Sequence, residues 1–336
     1  MANADTPEDA EHALKYGAMG IGLCRTERMF NAADRLPIVL EMIVADTQAQ
    51  RQTALDRLLP IQRADFKGIL QVMAPHPVTI RLLDPPIHEF LPTEAELVSD
   101  LEELGHLRDS LRGMETLGST LRLLNVNADD PKVGQIKHMP DSALVEQAIA
   151  KKQAMLKKVR SLHEVNPMLG HRGVRLGLTF PEIYSMQIRA VLEAAAELTR
   201  EGIEVHPEIM IPQVCTAQEL KRVRQYQDSL IPAVEQAYGV TLDFIKFGSM
   251  LEVVRACLRA DSLAEEAEFF SFGTNDLTQA SFSFSREDAE NKFLPMYNET
   301  GVLQDNPFEV LDRKGVGRLM ALAVDWARAT RPEIKM

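Results

Sequence analysis

Short apolar runs alternate with helix-forming stretches along most of this chain, and that alternation limits its folds more than any other feature. Residues 21–24, 77–83, 205–214, 244–252 and 268–272 have the length and composition of buried strands. Helix signals fall between them. Thr6 is a candidate N-cap, followed by Pro7, by Glu8 and Asp9 in the first turn, and by Gly17 as a stop. Residues 181–200 read as an amphipathic helix ending at Gly202, Thr216 and Glu219 form a capping box, and a last helix is expected over about 316–330. Apolar runs followed by helices at this spacing predict parallel βα units, about six strands in all. A closed (β/α)8 barrel needs eight, so an open doubly wound sheet competes with it. Over residues 92–162 the pattern changes to charged, helix-forming sequence with a polar break around 125–138, which predicts a helical insertion lying outside the sheet domain.

The 336 residues, 45% of them hydrophobic, can fill a large core. A formal net charge of -12 argues against a dedicated nucleic-acid or anionic-membrane binder, so an anionic ligand has to be held by a local arginine cluster. Cys24, Cys215 and Cys257 lie far apart without CxxC spacing and read as buried small hydrophobes in a reduced compartment, not as a disulfide frame. No stretch reaches the roughly 18 apolar residues of a membrane span, and the amino terminus lacks the layout of a secretory signal. An intracellular protein, cytoplasmic or organellar, is expected.

Ligands of parallel α/β folds gather at the carboxyl ends of strands. The first run ends in Arg25-Thr26-Glu27, the second leads through Arg81 to Asp84, and Asn166-Pro167-Met168-Leu169-Gly170 leads to Arg172. Planar guanidiniums bind carboxylate or phosphate through paired hydrogen bonds, so three of them at strand ends suit a compact polyanion. The competing reading has each arginine tied to a nearby acid such as Glu27, Asp84 or Glu89. Glu252 ends one strand and Asp276 follows the next, and two carboxylates on adjacent strands suit Mg²⁺ completed by water and substrate oxygens. Gly273 is expected to turn the backbone so that the amides of Thr274, Asn275 and Asp276 point at a bound anion.

In order, GIGLCRTERMF, TIRLLDPPIHEFLP, NPMLGHRG, PEIMIPQV and EFFSFGTNDLTQ resemble the motifs of the phosphoenolpyruvate (PEP)-utilising enzymes, and LLDPPIHEFLP with FLPMY and NPFEVLD resembles the pyruvate phosphate dikinase branch. The resemblance implies a TIM-type (β/α)8 barrel, incomplete at its first and last strands, that binds PEP and pyruvate. It gives Arg25 and Arg81 the phosphoryl group and carboxylate, Arg172 a supporting role, Glu252 and Asp276 the Mg²⁺, and Gly273, Thr274 and Asn275 the carboxylate end. Arg286 would add a lesser contact. The branch's reaction converts ATP, pyruvate and phosphate to AMP, PEP and diphosphate. Its implied partners are a phosphohistidine domain, a nucleotide-binding domain and a second copy of the chain.

Two departures stand out. Val254 replaces a usual proline, and the sequence stops before the eighth strand and the GxCGE motif whose cysteine protonates the enolate. By position none of the three cysteines substitutes, and neither His171 nor His206 sits in a phosphohistidine setting. The chain alone is therefore expected to catalyse no phosphotransfer. A free-standing Mg²⁺-dependent lyase or aldolase of an oxaloacetate-like acid, and a non-catalytic dimerisation module, are the alternatives.

Overall fold

The computed structural model describes residues 1–123, 142–162, 164 and 166–336. The polar break expected around 125–138 lies outside the described residues. Six parallel strands, β1 (Ala2–Asn3), β2 (Ile21–Arg25), β3 (Pro77–Arg81), β4 (His206–Ile211), β5 (Lys246–Leu251) and β6 (Phe269–Phe272), form one sheet in the order β1-β2-β3-β4-β5-β6. A doubly wound sheet reverses its strand order at a switch point. Here each strand pairs only with its neighbours in sequence, and the order runs in one direction. Asn3 and Ser271, from the first and last strands, line the same cavity, so the sheet curls. This is the arrangement of a partial TIM-type barrel. Lys335 continues it with a parallel bridge to Phe269 and an accepted bond from the Phe270 N–H at 2.8 Å.

The sequence signals act where they were expected. Thr6 Oγ1 accepts the Asp9 N–H at 3.1 Å to start helix Pro7–Lys15, and Gly17, at φ +83°, follows its end. Thr216 and Glu219 close a full capping box on helix Ala217–Tyr238. Helices Pro181–Arg200 and Val316–Thr330 keep the expected limits. Outside the sheet, helix Gln48–Met73 packs on Pro181–Arg200, which packs in turn on Ala217–Tyr238. Inside it, Leu23, Met210, Met250 and Phe269 from four strands form a core cluster. Gly248 admits Phe269 there, since a Cβ would lie 2.3 Å from the Phe269 carbonyl oxygen and 2.5 Å from its ring.

The chain divides into two compact units, residues 1–86 with 166–336, and residues 87–165. In the second, helices Glu94–Leu123 and Ser142–Leu162 pack through Leu111, Val145 and Ile149. Ion pairs Glu94–Arg160 at 2.8 Å, Asp100–Lys152 at 2.5 Å and Arg112–Glu146 at 2.8 Å run in opposite sequence directions, so the two helices are antiparallel.

Candidate active site

The carboxyl ends of the strands surround a cavity of roughly 550 Å³ in the first unit. Arg81, Arg172, Glu252, Gly273, Thr274, Asn275 and Asp276 line it together with Asp84. Arg81 is the last residue of β3. Its guanidinium binds Glu27 Oε1 and lies 3.1 Å from Asp84 Oδ2, which also accepts from Arg172 Nη2 at 2.6 Å. Arg172 Nη2 is 3.7 Å from Asp276 Oδ2. Both arginines therefore carry carboxylate partners, as the competing sequence reading allowed. Burial works against the charge on Arg81, but Asp84, Glu27 and Glu252 outweigh it and hold the group above its ordinary value. Asp84 Oδ1, Glu27 Oε2, Arg81 Nε and Arg172 Nε remain buried without a hydrogen-bond partner in the protein.

Glu252 follows β5 and is 3% exposed. Burial first, then the carboxylates of Asp84 and Asp276, push its pKa up to about 8, against the opposing pull of Arg81 and the Gln213 N–H. Gly273, where a tight turn was expected, precedes helix Thr274–Phe282, and the space around it gives a further reason for glycine. Its φ is -84°, open to any residue, but a Cβ there would sit 2.6 Å from Glu252 Oε2 and 3.0 Å from Met250 Sδ. The carboxylate lies where a side chain would be. Thr274, Asn275 and Asp276 form the first turn of helix Thr274–Phe282, whose free amide end adjoins the cavity. Arg286 reaches Asn275 Oδ1 at 3.3 Å and does not line the cavity.

Arg25 lies apart from this group. It is the register partner of Arg81, yet its Nη2 binds Asp5 Oδ2 at 2.7 Å, its backbone N–H binds Asp5 Oδ1 at 2.8 Å, and it lines a different cavity beside β1. Two like charges at adjacent positions repel, and the buried Asp5 draws one of them aside. Gln213, which the strand-end reasoning passed over, bonds both acidic candidates. Its backbone N–H donates to Glu252 Oε1 at 2.7 Å and its Nε2 to Asp276 Oδ2 at 3.0 Å. The expected strand ran to Val214 and hid it, whereas β4 ends at Ile211 and leaves Gln213 in the strand-end loop.

Cys24 and Cys257 are buried, and Cys215 Sγ lies 3.4 Å from Glu219 Oε1, so none of them lines the cavity. His206 opens β4 at the opposite end of the sheet, and His171 sits in the loop before helix Val174–Thr179. Among the described residues no cluster of three or more His, Cys, Asp or Glu side chains could hold a metal by itself, and no helix is long and apolar enough to cross a membrane.

A family model described as the PEP-binding domain of PEP-utilising enzymes matches residues 1–330. The chain belongs to this family of PEP-binding domains. It is 51% identical over 334 residues to the pyruvate, phosphate dikinase of Entamoeba histolytica, covering 99% of this chain and 34% of that one. Against pyruvate, phosphate dikinase 1, chloroplastic, of Arabidopsis thaliana the identity is 47% over 336 residues, covering 100% of this chain and 30% of the relative. The Giardia intestinalis pyruvate, phosphate dikinase is 44% identical over 334 residues, 99% of this chain and 33% of its own. The chain spans about a third of the length of the curated relatives it matches.

Proposed function

We propose that the cavity binds PEP and pyruvate together with Mg²⁺, and that residues 1–336, with 92–162 as an insertion, are the PEP-binding domain of a pyruvate phosphate dikinase. The observation that carries this is the convergence of Arg81, Arg172, Glu252 and Asp276 on one cavity at the strand ends. Around it, the four carboxylates of Glu27, Asp84, Glu252 and Asp276 face the two guanidiniums of Arg81 and Arg172, an excess of two negative charges when all are ionised. A divalent cation closes that excess, and a polyanion binding without one would meet net repulsion. Two carboxylates are the share a protein ordinarily gives to Mg²⁺, the rest being water and substrate oxygens. Bound there, Mg²⁺ supplies Lewis-acid stabilisation of the pyruvate enolate.

The chain's own residues bind and orient. Arg81 and Arg172 exchange part of their bonding to Glu27 and Asp84 for the phosphoryl and carboxylate oxygens of the substrate, using Nε atoms that have no protein partner. The first turn at Thr274, Asn275 and Asp276 offers amide hydrogens to the carboxylate end. Arg25 joins them only by leaving Asp5. The enolate's proton comes from none of the three cysteines, because none lines the cavity. The isolated chain therefore binds without completing the reaction. In the parent enzyme, phosphohistidine and nucleotide-binding domains relay phosphate from ATP, and the domain pairs with a second copy of itself.

Isothermal titration of oxalate, an enolate mimic, into the protein with Mg²⁺ tests this. Binding is expected only with Mg²⁺, and Arg81→Ala weakens it at least roughly tenfold, the loss of a charge-assisted contact of about 1.5–3 kcal/mol. A folded wild-type protein that takes up no oxalate at millimolar Mg²⁺ would refute the reading.

A further inference from the structure

We infer that Gln213 is a positioning residue which sets the separation of Glu252 and Asp276 and so fits the pair to a small octahedral cation; this rests on the reading of the cavity as a Mg²⁺ site. Gln213 is 4% exposed and adopts φ +58°, a left-handed conformation that costs a non-glycine residue about 1–2 kcal/mol. A side chain is held there only where its surroundings demand it. The surroundings are the two acids: one residue donates its backbone N–H to Glu252 at 2.7 Å and its side-chain amide to Asp276 at 3.0 Å. These acids stand on separate elements, the loop after β5 and the first turn of helix Thr274–Phe282, so a single residue ties the two elements together.

Gln213 cannot back away from them. Behind it lies Gly173, where an added Cβ would be 2.7 Å from the Gln213 Cβ and 3.0 Å from the Pro212 carbonyl oxygen, and the Val174 N–H binds that same oxygen at 3.1 Å. The loop that carries Arg172 thus braces Gln213 against the acids. The tether is also uncharged. A lysine or arginine in this place would hold both carboxylates but neutralise them, while an amide orients them and leaves their charge to attract a cation.

Orientation matters differently to different ions. Mg²⁺ demands near-ideal octahedral geometry, whereas Ca²⁺ accepts variable geometry and longer bonds. Two variants separate positioning from general damage. Gln213→Gly keeps the backbone N–H and suits the positive φ while deleting the tether to Asp276. Gln213→Met keeps most of the side-chain volume and deletes the same tether. Mg²⁺ and Ca²⁺ are each titrated into wild type and variants with PEP present, since oxalate would precipitate Ca²⁺, and thermal melts in EDTA are run alongside. Both variants are expected to lose Mg²⁺ affinity by about tenfold, the usual effect of removing a ligand's supporting partner. Ca²⁺ affinity changes less than about twofold, and Gln213→Gly melts close to wild type. Parallel losses for the two ions, or no loss in either variant, would overturn the inference. Wild-type protein that binds neither ion would instead overturn the Mg²⁺ reading beneath it.

Discussion

Replacing Glu252 by glutamine should stabilise the metal-free protein, and increasingly so as pH rises. The buried Glu252 carboxyl has its pKa pushed up to about 8 from an ordinary 4.5. Between those values the folded chain keeps a proton that the unfolded chain has released. Wild-type stability therefore falls as pH rises from about 4.5, and the loss is complete above about 8. At 1.36 kcal/mol per pH unit, the ceiling on that loss is about 3 kcal/mol at pH 7 and about 5 kcal/mol above pH 8. Glutamine cannot ionise, and its amide oxygen still accepts the Gln213 N–H, so the variant lacks this slope without losing the bond. Urea denaturation of both proteins from pH 5 to pH 9 in EDTA measures the difference. The gap should open by a few kcal/mol between pH 5 and pH 8 with unchanged m-values, and saturating Mg²⁺ should narrow it by stabilising wild type alone. Stability curves that run parallel across this range would refute the claim that Glu252 is a strained, cation-seeking carboxyl.

Gly273→Ala places a methyl group 2.6 Å from Glu252 Oε2 and 2.8 Å from its Cβ, so it should destabilise the fold by about 1–3 kcal/mol in urea melts and abolish Mg²⁺-dependent oxalate binding in the titration. Val254→Pro should have the opposite sign. Val254 is the first residue of helix Val254–Leu258, and Val253 before it is extended at φ -98°, ψ 130°, the conformation a following proline prefers. A gain of about 0.4–1 kcal/mol is expected from the same melts, with oxalate affinity unchanged.

Much of this was legible in the sequence because it depends on short-range rules. Strand and helix identities follow from periodicity and caps, and Pro181–Arg200 or Thr216 with Glu219 needed no tertiary information. Strand ends were nearly as readable, which is why the sequence alone groups Arg81, Arg172, Glu252 and Asp276, and the four line one cavity. What sequence could not supply was side-chain direction. Arg25 and Arg81 occupy equivalent positions on adjacent strands, and only the buried Asp5 makes one of them turn away. Gly273 was singled out for the turn before helix Thr274–Phe282, but the close approach of Glu252, which a side chain there would block, was not legible because it comes from a neighbouring strand. Gln213 was lost to a strand boundary extended a few residues too far.

The two buried glutamates of neighbouring strands differ in a way that supports placing the proposed site at the carboxyl ends of the strands. Glu208 on β4 and Glu252 after β5 are 2% and 3% exposed. Glu208 accepts Lys335 Nζ on both oxygens, at 2.7 and 2.8 Å, and Thr79 Oγ1 at 2.8 Å, so its charge is matched and its lone pairs are used. Glu252 receives one backbone N–H and faces two further carboxylates, with the unpartnered atoms of Asp84, Arg81 and Arg172 beside it. Burial is the same at both ends; satisfaction is not. A closed polar group holds strands together and asks nothing of solution, whereas a buried acid left with like charges is stable only if something else completes it. The contrast assigns Glu208 to holding strands together, and it is the surplus of negative charge around Glu252 that supports the proposal of a cation, and the anion it brings, at the carboxyl-terminal end.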